Sequence, residues 1–338
     1  METTKSLRQS NFEILRIISM LMIIGHHVAM HGGYSSVESV VISDYIIRLF
    51  TIGGKLGVNI FVLISGYFLV NSKFKIKKAL TIFAQVFFYS VLISSIFLIS
   101  GKVQFSKDLL LSMLLPISLN VWWFVSIYFI TYCLSPFLNI LIKNCGQKLH
   151  LILIFFLLVV QCIVNNVLGV AHLSNVAWFI TLYLISAYIK IYPHKLFNSN
   201  KIAVPVSLGT LVIIAVFNVF LKVNLWEMMN FVCLVCSVAI FCSFKNFTIP
   251  NSKIINAIAK TTFGIYLIHD HPLVRSFLWV ELLKCPYHYQ LNTFICFVIV
   301  AIIAVFIACM LIDFIRELLF KAVITIIKRI RRKKPSTE

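Results

Sequence analysis

The residues best suited to chemistry lie in the first apolar segment of the chain: Glu13, Arg16 and His27. Eleven residues at about 100° each make roughly three turns of an α-helix, so Arg16 and His27 share one face, about 16 Å apart along the axis. Glu13 lies one turn before Arg16, where a carboxylate can orient the guanidinium. Histidine suits general-base or covalent catalysis, and arginine suits phosphate or developing negative charge. The alternative is an arginine that snorkels to the membrane surface and a histidine that only packs.

A second polar cluster borders a later apolar segment, in the sequence TTFGIYLIHDHP at 261–272. Tyr266 and His269 are three residues apart, so they share one face of a helix, and Asp270 follows directly. Ionisable groups inside or beside apolar segments are expensive in lipid and normally face protein or a cavity. We therefore expect Tyr266 and His269 to line a pocket.

The segment KLGVNIFVLISGYFLVNSKFKIKK at 55–78 combines small residues with concentrated positive charge. Gly57, Ser65 and Gly66 permit close approach of a neighbouring helix, and Ser65 is a candidate pocket residue. The segment ends in four lysines within six residues, namely Lys73, Lys75, Lys77 and Lys78. Such a cluster binds either lipid headgroups, which composition alone favours, or the phosphates of a ligand.

His26 and Trp123 are further candidate pocket residues. His26 points about 100° away from His27 on the same helix, so the two histidines are not expected to be equivalent. Trp123 belongs to NVWWFVSIYFITYCLSPFLN at 120–139. Its paired tryptophans also fit an aromatic belt at a membrane interface.

The composition determines which scaffold must position these residues. Of the 338 residues, 60% are hydrophobic and 12% charged, against roughly 45–50% and about 25% in soluble domains. With a mean hydropathy of +0.98, the chain has more apolar surface than one globular core can bury. These values exclude a soluble enzyme, a nucleic-acid-binding protein and a disordered chain.

Apolar stretches near twenty residues predict an all-α, polytopic membrane helix bundle of about ten spans, because such a helix crosses a roughly 30 Å core. The predicted spans are 12–30, 55–71, 79–100, 120–142, 149–168, 173–192, 203–221, 226–244, 260–281 and 293–318. The shorter apolar stretch at 105–118 contains Pro116 and favours an interfacial or re-entrant piece. Because the loops are too short to fold as domains, residues 1–338 are predicted to form one membrane domain, with spans over 12–318 and a basic tail over 319–338.

The charges predict the orientation of the bundle. The 30 Lys and Arg residues against 11 Asp and Glu give a net charge of +19. With the N-terminus in the cytoplasm, the basic residues left on the other side are only Arg48, Lys55, Lys102, Lys107, Lys222, Arg275 and Lys284. Because basic residues favour the cytoplasmic side, both termini are predicted to be cytoplasmic. The charge needs no nucleic acid, and contact with anionic membrane lipid is expected instead.

The nine cysteines give no sign of a metal site or a disulfide framework. Their number is odd, and most lie within predicted spans. Cys233 and Cys236 have a metal-like spacing, but they lie in an apolar segment without a second ligand pair. We expect the cysteines to be small hydrophobic residues and predict no metal site.

Four of these elements together resemble the acyltransferase-3 family of integral-membrane O-acyltransferases, which modify bacterial surface polysaccharides. Arg16, ten residues and His27 are similar to the family's Arg-x10-His signature, with Glu13 in the acidic position before it. GVNIFVLISGYFL, WWFVSIYFITYCLSPFLN and TTFGIYLIH resemble its second-helix, aromatic and late Tyr-Leu-x-His elements. The resemblance extends from about residue 10 to about residue 318.

The resemblance implies an enzyme that moves an acyl group from cytoplasmic acetyl-CoA to a hydroxyl of a surface polysaccharide or its lipid-linked precursor. It implies that His27 is the base or a transient acyl carrier and that Arg16, oriented by Glu13, steadies donor phosphate or developing negative charge. The four lysines would attract CoA phosphates, where family members often carry paired arginines. The implied location is the cytoplasmic membrane of a bacterium, and no permanently bound cofactor is expected.

Two other classes of protein fit the same scaffold. A transporter or flippase of a glycan precursor would also use ten spans and membrane histidines, but it would not need a basic site for CoA. A membrane glycosyltransferase or polymerase is disfavoured, because the sequence has no Asp-x-Asp pair for a metal-bound nucleotide sugar.

Overall fold

The computed structural model describes residues 9–164 and 175–333, and within these ranges every regular element is a helix. The α-helices are α1 (Ser10–His31), α2 (Val41–Leu69), α3 (Ile76–Ile99), α4 (Lys107–Leu114), α5 (Trp123–Leu158), α6 (Asn175–Ile191), α7 (Asn200–Val219), α8 (Phe231–Asn246), α9 (Lys253–His269), α10 (Pro272–Ser276), α11 (Cys285–Tyr289) and α12 (Phe294–Lys333). The predicted all-α fold class is confirmed.

Six helical stretches of the described chain are long and apolar enough to cross a membrane. They are Ser10–Ser36, Val41–Leu69, Ile76–Ile99, Trp123–Val164, Asn200–Val219 and Phe294–Ile326. Two further apolar helices, α6 and α8, have 17 and 16 residues. The chain is therefore a multi-pass membrane protein, whereas the count of ten spans and the cytoplasmic location of both termini stay predictions.

The second predicted span, 55–71, is part of a longer helix that begins at Val41. Its polar first turns are satisfied by contacts with α11 instead of by water. Ser43 Oγ donates to the carbonyl of Tyr289 at 2.7 Å, and Asp44 Oδ1 accepts from the Tyr289 hydroxyl at 2.7 Å. A span predicted from hydropathy does not extend through these polar residues, although the helix does.

Two other helices depart from the predicted boundaries at residues that alter the backbone. The predicted span 120–142 and the first part of the predicted span 149–168 are joined in α5 across a kink at Gly146, whose φ of 65° lies in the left-handed region that favours glycine. The end of the latter span, 165–168, lies outside the described residues. The predicted span 260–281 is broken after His269, because Pro272 lacks an amide hydrogen and cannot continue α9. The stretch at 105–118 contains the eight-residue helix α4, which is too short to cross a membrane.

Contacts between helices divide the bundle into two ends. At one end, the amide of Ser252, which precedes α9, donates to Ser10 Oγ at 2.9 Å. Lys260 of α9 forms an ion pair with Glu317 as α12 passes the same end. We call this the N-terminal end, and the end of the bundle that contains His31 is the opposite end. Both ends of the described chain thus lie at the N-terminal end.

A buried carboxylate joins α3, α9 and α12. Asp313 is fully buried and accepts hydrogen bonds from the Tyr89 hydroxyl at 2.8 Å, Gln85 Nε2 at 3.2 Å and Arg316 Nε at 2.7 Å. Gly264 of α9 faces this carboxylate, and a Cβ atom at Gly264 would overlap it. An ionisable group within a membrane helix is costly unless it is paired. The network therefore fixes how closely α9 and α12 approach.

Gly264→Ala is expected to destabilise the protein by about 1–3 kcal/mol, the usual cost of overpacking, because the new methyl group must displace the Asp313 carboxylate. Thermal unfolding of the purified protein in detergent measures this change. Gly209→Ala in α7 is the matched control, since nothing lies within 4 Å of the added Cβ there, and alanine favours a helix over glycine. Equal melting temperatures for Gly264→Ala and the native protein would contradict the proposed packing.

Candidate active site

His27 of α1 and His269 of α9 meet in the interior of the bundle. His27 Nδ1 lies 3.0 Å from His269 Nε2, and both side chains are buried. The helical periodicity that places Arg16 and His27 on one face of α1 directs that face toward α9. Arg16 and His27 of α1 therefore face the segment 261–272, which contains the second polar cluster.

The hydrogen bonds of His269 assign the protons on both rings. His269 Nδ1 lies 2.6 Å from the carbonyl oxygen of Ile265, which can only accept, so Nδ1 carries the proton and donates it. In the neutral ring His269 Nε2 is then an acceptor, and His27 Nδ1 must donate to it. The lone pair of neutral His27 is consequently on Nε2.

A buried carboxylate faces that nitrogen. Asp270 Oδ1 lies 3.5 Å from His27 Nε2, and Asp270 is fully buried. Arg275 binds the same carboxylate at two points, with Nε 2.8 Å from Oδ1 and Nη2 3.1 Å from Oδ2. Because a bidentate contact fixes both the position and the plane of a carboxylate, Asp270 is oriented to stabilise positive charge on His27.

The break after α9 creates this arrangement. Asp270 follows the last residue of α9, and Pro272 then begins the short helix α10. His271 Nδ1 accepts from the amide of Leu273 at 3.1 Å and so caps α10. The break lets Arg275 reach Asp270, which a continuous helix with a spacing of five residues would not permit.

The same cluster also has the donor types of a metal site. His27, His31 and Asp270 offer ligand atoms that lie within 4.8 Å of one another. However, Arg275 donates to both oxygens of Asp270, and its positive charge opposes a cation there. The cluster is better suited to moving a proton than to holding a metal, and the absence of a metal from the reaction stays a prediction.

A cavity of about 510 Å³ leads from the N-terminal end toward this cluster. Its charged lining residues are Glu13, Arg16, Lys78 and Lys260. Its deepest part is lined by Phe124 and Tyr266, and the ring centroid of Tyr266 lies 6.4 Å from that of His27. The cavity is therefore charged where it begins and largely apolar and aromatic where it approaches the histidines.

Arg16 is a charged residue of the cavity that is only weakly paired. Its Nε atom lies 3.9 Å from Glu13 Oε2, which is an ion pair but too long for a hydrogen bond. Among the described residues, Arg16 Nε is buried and has no hydrogen-bond partner. Lys260, by comparison, is already paired with Glu317. The Arg16 side chain as a whole is 28% exposed and lines the cavity, and a guanidinium is suited to binding a phosphate.

The structure brings most of the residues predicted from sequence to one place. The cavity and the adjoining histidine pair contain Glu13, Arg16, His27, Ser65, Lys78, Tyr266 and His269. Three of the four predicted donor-binding lysines, Lys73, Lys75 and Lys77, are exposed and lie outside the cavity lining. Their predicted role in binding the donor stays a prediction, as does that of Lys78.

His26 and Trp123 lie beside the cavity and do not line it. His26 Nδ1 lies 2.7 Å from the carbonyl of Thr51, so this ring joins α1 to α2. The Trp123 ring lies 4.8 Å below the Nζ atom of Lys55, at the opposite end. Their contribution to an acceptor pocket stays a prediction.

No role was expected for Asp270 as a partner of His27, or for Arg275 and Lys260. Asp270 stands next to a His-Pro pair, so a break in the helix there could be predicted from the sequence. The pairing of Asp270 with Arg275 could not be predicted, because it depends on the turn between α9 and α10. Lys260 lies at the edge of a predicted span, where a lysine is expected for topology alone.

One comparison with known proteins identifies the family of the chain. The acyltransferase-3 family model, described as an acyltransferase domain, matches residues 9–314. Because the match covers nearly the whole chain, the chain belongs to this family. The protein is therefore an integral-membrane acyltransferase. A search of curated proteins and a search of solved structures each gave no match to the chain.

Proposed function

We propose that the protein transfers an acetyl group from cytoplasmic acetyl-CoA to a hydroxyl of a surface polysaccharide, or of its lipid-linked precursor, across a bacterial cytoplasmic membrane. The observation that carries this proposal is the cavity that connects Arg16, Lys78 and Lys260 with Tyr266 beside His27. A transporter of a glycan precursor would need no basic site that leads to a histidine. The basic composition of the N-terminal end supports its assignment to the cytoplasm.

Distance separates the roles of Arg16 and His27. Eleven residues along α1 place the two side chains about 16 Å apart. Arg16 therefore cannot contact developing charge on a carbonyl that His27 serves, and the phosphates of CoA are the better ligand for it. The pantetheine arm would cross the apolar middle of the cavity and carry the thioester toward Tyr266 and His27.

His27 acts as the general base in this proposal. Its Nε2 atom takes the proton of the acceptor hydroxyl while the hydroxyl oxygen attacks the thioester carbonyl. The carbon–sulfur bond then breaks, the CoA thiolate leaves, and the proton on Nε2 passes to that thiolate, so the products are an ester and CoA thiol. Asp270 stabilises the imidazolium, and His269 holds the ring by accepting from Nδ1.

The geometry supports the base role of His27 over the role of acyl carrier. A covalent acyl group would also have to attach to Nε2, the nitrogen with the lone pair. Asp270 Oδ1 lies only 3.5 Å from that atom. A hydroxyl that only donates a hydrogen bond to Nε2 needs little room beside the carboxylate, whereas an acetyl group bonded to Nε2 would crowd a carboxylate that Arg275 holds at two points.

The proposed function is tested by two measurements on the same protein. Purified protein is expected to bind acetyl-CoA, and cells with an active copy are expected to show O-acetyl signals in the NMR spectrum of their surface glycan. Cells with the His27→Ala copy are expected to lack those signals. No acetyl-CoA binding, together with glycan that reaches the surface only with the active copy, would instead identify a transporter.

Lys78→Gln is expected to raise KM for acetyl-CoA by about tenfold, because Lys78 lines the cavity and a hydrogen bond to a charged group is worth about 1.5–3 kcal/mol. Lys73→Gln, Lys75→Gln and Lys77→Gln are expected to raise KM less than threefold each, since all four lysines are exposed but these three lie outside the cavity lining. Steady-state kinetics with acetyl-CoA as the varied substrate measure the difference. Lys143→Gln, an exposed lysine of α5, is the control, and equal effects at Lys77 and Lys78 would contradict the role assigned to the cavity.

A further inference from the structure

A second cavity lies on another side of the bundle, between α5, α6, α7 and α8. Its volume is about 400 Å³, and its lining is almost entirely apolar, with Ile154, Ile185, Ile189, Val206, Val235 and Val238 among its walls. It shares no lining residue with the cavity that leads to His27. The acyl transfer proposed above makes no use of it.

The length of this second cavity suits one leaflet of a membrane. Both Phe231 and Cys242 of α8 line it, and eleven residues of helix rise about 16 Å. Half of a roughly 30 Å hydrocarbon core is about 15 Å. At the N-terminal end the cavity is lined by Phe197 and Ile202, which belong to the turn between α6 and α7 and to the start of α7.

A polar depression adjoins the cavity at that turn. His194, Lys195, Asn198 and Ser199 line it, and it shares Ile202 with the apolar cavity. The nearby Lys201 is exposed.

The charge of this region is of one sign. The sequence contains no Asp or Glu between Asp108 and Glu227, whereas Lys143, Lys148, Lys190, Lys195 and Lys201 fall in that stretch and lie at the N-terminal end. The positive charge at the turn between α6 and α7, beside the apolar second cavity, matches a molecule with an anionic head and a hydrocarbon chain. A free phosphate would bind at the turn and leave the second cavity without a ligand.

We propose that the turn and the second cavity form a binding site for an anionic glycerophospholipid of the leaflet at the N-terminal end. The phosphate lies against His194 and Lys195, and one acyl chain occupies the cavity beside Val235 and Val238. The positive charge of the turn favours an anionic headgroup, and the length and apolar lining of the second cavity favour a hydrocarbon chain. The site is separate from the acceptor and donor of the acyl transfer.

Photolabelling tests this site on the full-length protein in phosphatidylcholine nanodiscs. Phosphatidylglycerol with a diazirine on one acyl chain is the probe, and labelled peptides are mapped by mass spectrometry. We expect labels on the segments 185–189 and 235–242, and much weaker labelling there by phosphatidylcholine with the same diazirine. Equal labelling by the two probes, or labels confined to other segments, would overturn the proposal.

The lysines and the second cavity are tested by separate variants. Lys195→Gln with Lys201→Gln is expected to lower phosphatidylglycerol affinity roughly 30-fold, while Lys107→Gln with Lys222→Gln leaves it unchanged.

Ala239→Leu is expected to remove labels from the second cavity by filling it, with folding checked by thermal unfolding. Lysine variants that label like the native protein would overturn the proposal, as would stronger competition by a polyprenyl phosphate than by phosphatidylglycerol. Because every readout is lipid labelling, the outcome does not depend on the proposed acetyl transfer.

Discussion

His27→Ala is expected to lower kcat for acetyl transfer by about 10²–10⁴-fold, the usual contribution of a general base. The acceptor hydroxyl is a poor nucleophile, and His27 Nε2 is the nitrogen whose lone pair remains free once His269 Nδ1 donates to Ile265. KM for acetyl-CoA is expected to stay nearly unchanged, because Arg16 binds the phosphates about 16 Å away. Steady-state kinetics on purified, correctly inserted protein separate the two constants.

His288→Ala is the control for this experiment. His288 stacks on Phe297 at a centroid distance of 4.0 Å and lies outside the cavity and the histidine pair. It is expected to retain native kcat. A His27→Ala protein that inserts, folds and transfers acetyl at the native rate would remove His27 from the reaction.

Asp270→Asn is expected to lower kcat by about 10²-fold or more, the scale seen when one preorganised electrostatic group is removed. The amide keeps the shape of the side chain and loses the charge that stabilises the His27 imidazolium. Arg275 loses its ionic partner at the same time. Because its side chain is 29% exposed and can be partly solvated, we expect a stability cost of only about 1–3 kcal/mol.

Asp313→Asn is the control that distinguishes a loss of catalysis from a loss of stability in Asp270→Asn. Asp313 is also a buried carboxylate held by an arginine, with Arg316 Nε 2.7 Å from its Oδ1, but its hydrogen-bond partners are Tyr89 and Gln85 of α3 instead of His27. Asp313→Asn is expected to cost stability while retaining kcat, and Asp270→Glu is expected to restore part of the activity that Asp270→Asn loses. Parallel losses of kcat and melting temperature in Asp270→Asn and Asp313→Asn would mean that Asp270 is only structural.

Helical periodicity was sufficient to predict the first half of the site. The spacing of Glu13, Arg16 and His27 fixes their common face wherever α1 lies, and the spacing of Tyr266 and His269 does the same for α9. Both faces carry groups that lipid excludes, so their burial against each other follows from the cost of exposing them. The all-α membrane fold follows from composition in the same way.

The other half of the site depends on tertiary geometry. Asp270 reaches His27 because α9 ends before Pro272, and Arg275 reaches Asp270 across the break between α9 and α10. Neither contact follows a helical spacing. Likewise, the first residues of α2 resemble a loop by hydropathy because they include Ser43 and Asp44, and the contacts of these residues with Tyr289 of α11 depend on the tertiary fold.

The lysine cluster shows the limit of reading charge from sequence. Lys73, Lys75, Lys77 and Lys78 are equivalent in composition, but only Lys78 lines the cavity. The helix α3 begins at Ile76, and its register decides which of the exposed lysines lines the cavity. Lys260, which sequence assigns to topology, joins Lys78 in the same lining from a different helix.

The central claim is that one cavity delivers a thioester from the N-terminal end to His27. A cryo-EM structure of the full-length protein with a non-hydrolysable ketone analogue of acetyl-CoA tests it most directly. We predict phosphates at Arg16 and Lys78 and the acyl carbonyl beside Tyr266, within reach of an acceptor oxygen held by His27 Nε2. An analogue bound at the opposite end, or with its carbonyl away from His27, would contradict the account.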